Sequence, residues 1–152
     1  MSDPTAGVRY VFDTDHATFL FAGRGVEHDR LTARLAAAGP GAVAYPLPVV
    51  QEQFAGVLAA LNRGRKGKLA ADYARLLKLL AFYRRPDVTV LPFGPAEAAT
   101  FEDLAIATPK SVGRMDVRVA AVAATAGLTV LTRNAKDFGR IPGVRLKDWT
   151  AA

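Results

Sequence analysis

Two apolar runs in this chain stop abruptly at acidic residues. Tyr10-Val11-Phe12 ends in Asp13-Thr14-Asp15, and Leu128-Thr129-Val130-Leu131-Thr132 gives way to Arg133-Asn134-Ala135-Lys136-Asp137. Two further acids stand at marked places. Glu52 falls within a helical pattern, and Asp116 heads the nearly all-apolar stretch Val117–Ala126. Carboxylates that share a cleft cannot all stay ionised unaided. Two like charges about 4 Å apart repel by roughly 4 kcal/mol at an effective dielectric near 20, so protons or cations must neutralise them. The chain has no cysteine and two histidines. An oxygen-only donor set selects a hard ion, Mg²⁺ or Mn²⁺, over zinc, and His16 and His28 read as surface or capping residues. An ion held this way can activate water and stabilise charge on a phosphodiester.

Each acid also has an ordinary reading. Asp13 could be a turn residue, although Asp-Thr-Asp directly after Tyr-Val-Phe is hard to place in a closed core. Asp15 could cap the next helix or partner Asp13. Glu52 lies opposite the stripe Phe54, Val57, Leu58 and Leu61, which suits a solvated surface glutamate. Asp116 could be an N-cap, or an ionised group favoured by the helix dipole. Asp137 follows Asn134 by three residues, a spacing that caps a helical turn as readily as it builds a site.

The elements that must position these residues alternate between strand and helix. Strands are expected near 9–13, 43–48, 88–93, 128–132 and 144–147. Helices are expected near 30–38, 50–62, 69–83, 95–105 and 116–126, punctuated by Gly39-Pro40-Gly41, Pro86 and Gly127. Alternation of this kind predicts an α/β fold with a parallel sheet covered by helices on both faces. Such a sheet delivers its strand ends to one edge, where ligands bind. Leu69, Tyr73, Leu76, Leu77 and Leu80 give the 69–83 helix an apolar face for the core or for a dimer contact.

Composition sets outer bounds. A chain of 152 residues that is 51% hydrophobic suits one domain with one core. No apolar stretch reaches the roughly 20 residues that span a bilayer, and residues 1–7 read as a flexible lead without signal-peptide character. Cysteine absence fits a reducing cytoplasm. The net charge of +6 suits a polyanionic partner. The connector Asn62-Arg63-Gly64-Arg65-Lys66-Gly67-Lys68 could touch phosphate through Arg63, Arg65, Lys66 and Lys68, or could be a solvated loop.

Taken together, Tyr10–His16, Glu52–Gly56, Val112–Ala123 and Leu131–Phe138 resemble the four acidic motifs of PIN-domain ribonucleases, and most closely those of VapC-type toxins of bacterial toxin–antitoxin pairs. The closing Ile141–Trp149 matches that branch too. The resemblance implies a PIN-like three-layer α/β/α sandwich over residues 8–150. In that likeness Asp13, Glu52, Asp116 and Asp137 are the acidic quartet holding one or two Mg²⁺ or Mn²⁺ ions, with Thr14, Asp15, Thr132 and Asn134 in support. It further implies an RNA substrate, an antitoxin partner, a homodimer and a cytoplasmic location. Asp15 stands where the family often has Asn. Pro46 and Pro48 depart from the usual strand before Glu52 and suggest an edge or irregular strand. Two other readings stay open: a non-catalytic RNA-binding module, and an aspartyl-nucleophile phosphatase built on Asp13 and Asp15.

Overall fold

Strand order decides which acids can meet. A computed structural model describes residue 3 and residues 5–152. Its strands are β1 (Tyr10–Phe12), β2 (Val43–Pro46), β3 (Val90–Leu91), β4 (Thr129–Leu131) and β5 (Leu146–Lys147), and they form one sheet in the order β3-β2-β1-β4-β5. Every pairing is parallel. With β1 central and Phe12 in register with Leu131, Asp13 and Thr132 leave adjacent strands at the same edge.

Seven helices complete the described residues: α1 (Thr14–Ala22), α2 (Val26–Ala38), α3 (Leu47–Arg63), α4 (Leu69–Tyr83), α5 (Pro95–Ala107), α6 (Arg114–Ala126) and α7 (Ala135–Phe138). The fold is the α/β arrangement expected, a parallel sheet flanked by helices. One core runs from Val8 to Trp149. Val11, Phe12, Val130 and Leu131 of the central strands are almost wholly shielded from solvent. So are Val117 and the run Val119–Ala123, which gives α6 the packed character its composition foretold. Each such large apolar side chain contributes roughly 1.5–3 kcal/mol by leaving water. Gly127 ends α6 at φ 70°, a left-handed turn that glycine adopts without strain.

Several expectations are corrected. The first helix, α1, begins directly after Asp13, and nothing in the periodicity of Thr-Asp-His-Ala-Thr-Phe-Leu-Phe-Ala announces it. β2 is interior, paired with both β1 and β3, so the prolines do not mark an edge. Pro46 is the last residue of β2 and Pro48 lies in the first turn of α3, where a helix has no intrahelical use for the missing N–H. The strand expected over 88–93 contracts to Val90–Leu91. His16 is not a surface group but is fully buried. Of the expected lead, residues 1, 2 and 4 lie outside the described residues; the Thr5 hydroxyl and amide both donate to Asp3 in a turn.

The apolar face of α4 is also resolved. Leu69, Tyr73, Leu77 and Leu80 are 44–69% exposed, while Asp72 and Leu79 are the buried residues. That face therefore does not serve this chain's own core.

Candidate active site

The site grows from the junction of β1 and β4. Asp13 sits at the N-cap position of α1, yet its side chain makes no capping bond. Its Oδ2 instead accepts a 2.8 Å hydrogen bond from the Thr132 hydroxyl, and only 6% of the residue is exposed. The backbone amide of Asn134 donates to that same Thr132 oxygen at 3.0 Å. Asn134 caps α7, accepting from the Asp137 amide at 3.4 Å. Its own amide nitrogen lies 3.2 Å from both the Asp116 and the Asp137 carboxylates, donating to each. A chain of contacts thus runs from Asp13 through Thr132 and Asn134 to Asp116 and Asp137. Asn134 both caps α7 and gathers the acids, so the two sequence alternatives coexist.

Glu52 enters from the other side. It lies in the second turn of α3, half-buried rather than solvated as its opposition to the apolar stripe implied. The packed side of α3 differs from the apolar stripe: Leu58 is 46% exposed, and Val49, Val57 and Ala60 are buried. Thr14 donates to Glu52 at 2.5 Å, tying α1 to α3 beside Asp13.

Asp15 caps nothing. One oxygen accepts from the Arg133 amide at 2.8 Å, with the Thr132 hydroxyl at 3.4 Å, and the other meets His16 Nδ1 at 2.7 Å. His16 Nε2 accepts from the Trp149 amide at 3.0 Å, while Nδ1 faces Asp15. A buried histidine therefore links the start of α1 to the C-terminal segment, where Asp148 also lies 3.5 Å from Nε2. His28 is partly exposed, and its nearest acid contact is Asp29 at 3.4 Å.

Electrostatics mark the cluster as one unit. Burial lifts the Asp13 carboxyl to about 6; the Thr132 hydrogen bond opposes this, while the charges of Asp15 and Asp116 add to it. Asp116 is also raised to about 6, by burial and then by the charges of Asp137, Glu52 and Asp15. Acids from other stretches thus disfavour the ionisation of Asp13 and Asp116, a condition that a cation relieves. Among the described residues, no three His, Asp or Glu side chains already converge as an ion's ligands must. The acids are instead held in pairs by hydroxyl and amide donors. The donor set fits a hard divalent ion in kind: all oxygen, mutually repelling, each group already serving as acceptor.

Of the basic residues singled out in the connector, Arg63, Arg65, Lys66 and Lys68 lie at the far turn between α3 and α4 and are exposed. They are not gathered with the acids. Sequence reasoning did not single out Arg75 and Lys78 of α4, which line a cavity together with Glu52 and Thr14.

No protein-family model matches the chain. Among curated proteins it is 39% identical over 75 residues to Ribonuclease VapC1 of Rickettsia felis, a match covering 46% of this chain and 56% of that protein. It is 47% identical over 38 residues to the tRNA(fMet)-specific endonuclease VapC of Salmonella typhimurium, covering 25% of this chain and 29% of that protein. The matches therefore span about half or less of those relatives' lengths. Among solved structures, VapBC-1 from nontypeable Haemophilus influenzae superposes with a TM-score of 0.70 at 20% identity, covering 95% of this chain and 100% of that one. VapBC-5 of Mycobacterium tuberculosis, described as a member of the VapBC family of toxin–antitoxin systems, gives 0.58 at 27% identity, covering 93% and 97%. The fold is the one seen in those complexes, and the likeness to VapC-type PIN domains holds in sequence and in architecture.

Proposed function

We propose that this protein is a metal-dependent ribonuclease of the VapC type, hydrolysing RNA phosphodiester bonds as the toxin of a toxin–antitoxin pair. The observation that carries this reading is the Asp13–Thr132–Asn134–Asp116/Asp137 network at the carboxyl edge of the sheet. The curated relatives, named ribonuclease and tRNA-specific endonuclease, support RNA as the substrate class.

Asp13 and Asp116 are the principal ligands in this reading, since burial first and the neighbouring acids second disfavour the charge of both carboxyls. Glu52 and Asp137 complete the set or orient water. One or two Mg²⁺ or Mn²⁺ ions would be held, and when bound they supply Lewis acidity toward a phosphoryl oxygen and acidify water. The chain's own groups do the rest. Thr132 fixes the rotamer of Asp13, Asn134 holds Asp116 and Asp137 at a shared donor, and Thr14 restrains Glu52. Asp15, anchored by His16 and the Arg133 amide, locks α1 against the end of β4. Such outer contacts are typically worth 10–100-fold in metal affinity or activity.

An antitoxin partner is proposed because several of the solved neighbours are VapBC complexes, two of them bound to DNA. The exposed Leu69, Tyr73, Leu77 and Leu80 face of α4 supplies an apolar surface suited to the expected homodimer. No helix is long and apolar enough to cross a membrane among the described residues, and a cytoplasmic location follows from the proposed substrate. The test is cleavage of a panel of structured RNAs with Mg²⁺, Mn²⁺ or EDTA. Cleavage should require the ion and be lost in Asp116→Asn; equal activity in that variant would reject the proposal.

A further inference from the structure

Beside the acids, α1, α3 and α4 enclose a cavity of about 260 Å³, slightly below the roughly 300 Å³ at which drug-sized pockets begin. One side carries Thr14, Thr18, Glu52 and Gln53; another carries Arg75 and Lys78, with Phe21, Val57 and Leu79 also lining it. Tyr83 donates to Gln53 and fixes that amide, while Lys78 donates to the Phe21 carbonyl at 3.3 Å. Resting on the nuclease reading above, we infer that this cavity is a subsite for one unpaired nucleotide of the RNA strand, with Arg75 gripping its phosphate beside the reacting bond.

Three features carry the inference. The cavity shares Glu52 and Thr14 with the proposed centre, so a group seated in it lies next to the acids. Its size admits a single base or ribose, and a base can enter only if it is unpaired, which excludes an intact duplex. Its cations each face a partner: Lys78 the Phe21 carbonyl and Arg75 a buried acid. Asp72, whose side chain is only 4% exposed, stands 3.6 Å from Arg75 and 3.5 Å from Arg65 through one carboxylate oxygen. Its other oxygen is buried without a hydrogen-bond partner. A buried acid left this way is costly, and it draws two guanidinium groups that remain half exposed without hydrogen-bonding either. Both contact Asp72 at long range, so most of their donors are left for phosphate oxygens. Arg65, Arg75 and Lys78 then form a cationic line from the α3–α4 turn toward the acids, and Asp72 is a positioning residue for it.

The test uses the full chain carrying Asp116→Asn, so that RNA is bound but not cut. Fluorescence anisotropy compares a labelled single-stranded oligoribonucleotide with a hairpin of equal length, across a salt series. Arg75→Gln removes one phosphate contact. For a single strand each contact adds about 0.7 to the salt slope, so affinity at 0.1 M salt should fall about fivefold and the slope should flatten by about 0.7. Arg75→Lys should restore the slope. Gly56→Leu fills the cavity from α3, where an added Cβ meets nothing within 4 Å, and should weaken single-strand binding at least about fivefold while sparing the hairpin stem. Failure of the Asp116→Asn protein to bind RNA, equal affinity in Arg75→Gln and Gly56→Leu, or equal binding of strand and duplex would each overturn the subsite. Cleavage by the wild type with both variants indifferent refutes the subsite alone. Dependence of binding on Arg75 and Gly56 without any cleavage by the wild type refutes the nuclease reading alone.

Discussion

Replacing Asp13 with Asn should make the metal-free protein more stable while removing a ligand the proposed reaction requires. Asp13 titrates near 3.8 in an unfolded chain and at about 6 in the fold, chiefly because burial disfavours its charge. Between those values the folded state keeps a proton that the unfolded state has released, so stability falls as pH climbs toward 6 and is level above it. At 1.36 kcal/mol per unit the wild type forfeits about 3 kcal/mol at pH 7.5 and about half that at pH 5. Asparagine cannot ionise, and its carbonyl can still accept from Thr132. The assay is urea unfolding in EDTA, followed by fluorescence of Trp149, the chain's one tryptophan, which packs 4.7 Å from Tyr10. The variant should gain about 2–3 kcal/mol at pH 7.5, and the gain should shrink by roughly 1.4 kcal/mol at pH 5. A variant no more stable than the wild type, or a gain indifferent to pH, would refute the claim that this carboxylate is held against its own desolvation.

Thr132→Val removes the donor to Asp13 and the acceptor for the Asn134 amide, so RNA cleavage should fall about 10–100-fold, with Thr132→Ser retaining most of it in the same assay. Mn²⁺ affinity measured by calorimetry should weaken as pH drops through about 6, because Asp13 and Asp116 then yield protons on binding; each proton displaced makes the change about tenfold per pH unit. His16→Leu strands the buried Trp149 amide and removes one partner of Asp15, and should destabilise the fold by about 1–3 kcal/mol in urea titration, whereas His28→Leu, at an exposed contact, should change it by less than about 0.5 kcal/mol.

The acids were legible because parallel strands hand their last residues to one edge: strands near 9–13 and 128–132 bring Asp13 and Thr132 to that edge, while their adjacency comes from the strand order, which places β4 beside β1. Local helix signals were read less well. Helix α1 escaped notice because its nine residues mix apolar and polar groups without a stripe. Glu52 read as a surface residue because periodicity reports which residues are apolar, not which face finds a partner. In α3 the exposed Leu58, and in α4 the exposed Leu77, belong to faces the isolated chain does not cover. The prolines misled for a related reason, since Pro46 and Pro48 mark a strand-to-helix junction rather than an unpaired edge. Asp72, Arg75 and Lys78 could not be assigned from sequence at all. Their relation to Glu52 is created by the antiparallel return of α4 along α3, which no local pattern encodes.

In the proposed site, carboxylates from four distant stretches share one or two divalent ions. The most direct measurement of that sharing is the anomalous difference density of a crystal soaked in Mn²⁺ near pH 8, where both raised carboxyls are ionised. A peak at bonding distance from oxygens of both Asp13 and Asp116, absent in Asp116→Asn, is the predicted result. Saturating Mn²⁺ with no peak there, or a peak bound elsewhere while these two acids stay in their Thr132 and Asn134 contacts, would contradict the account.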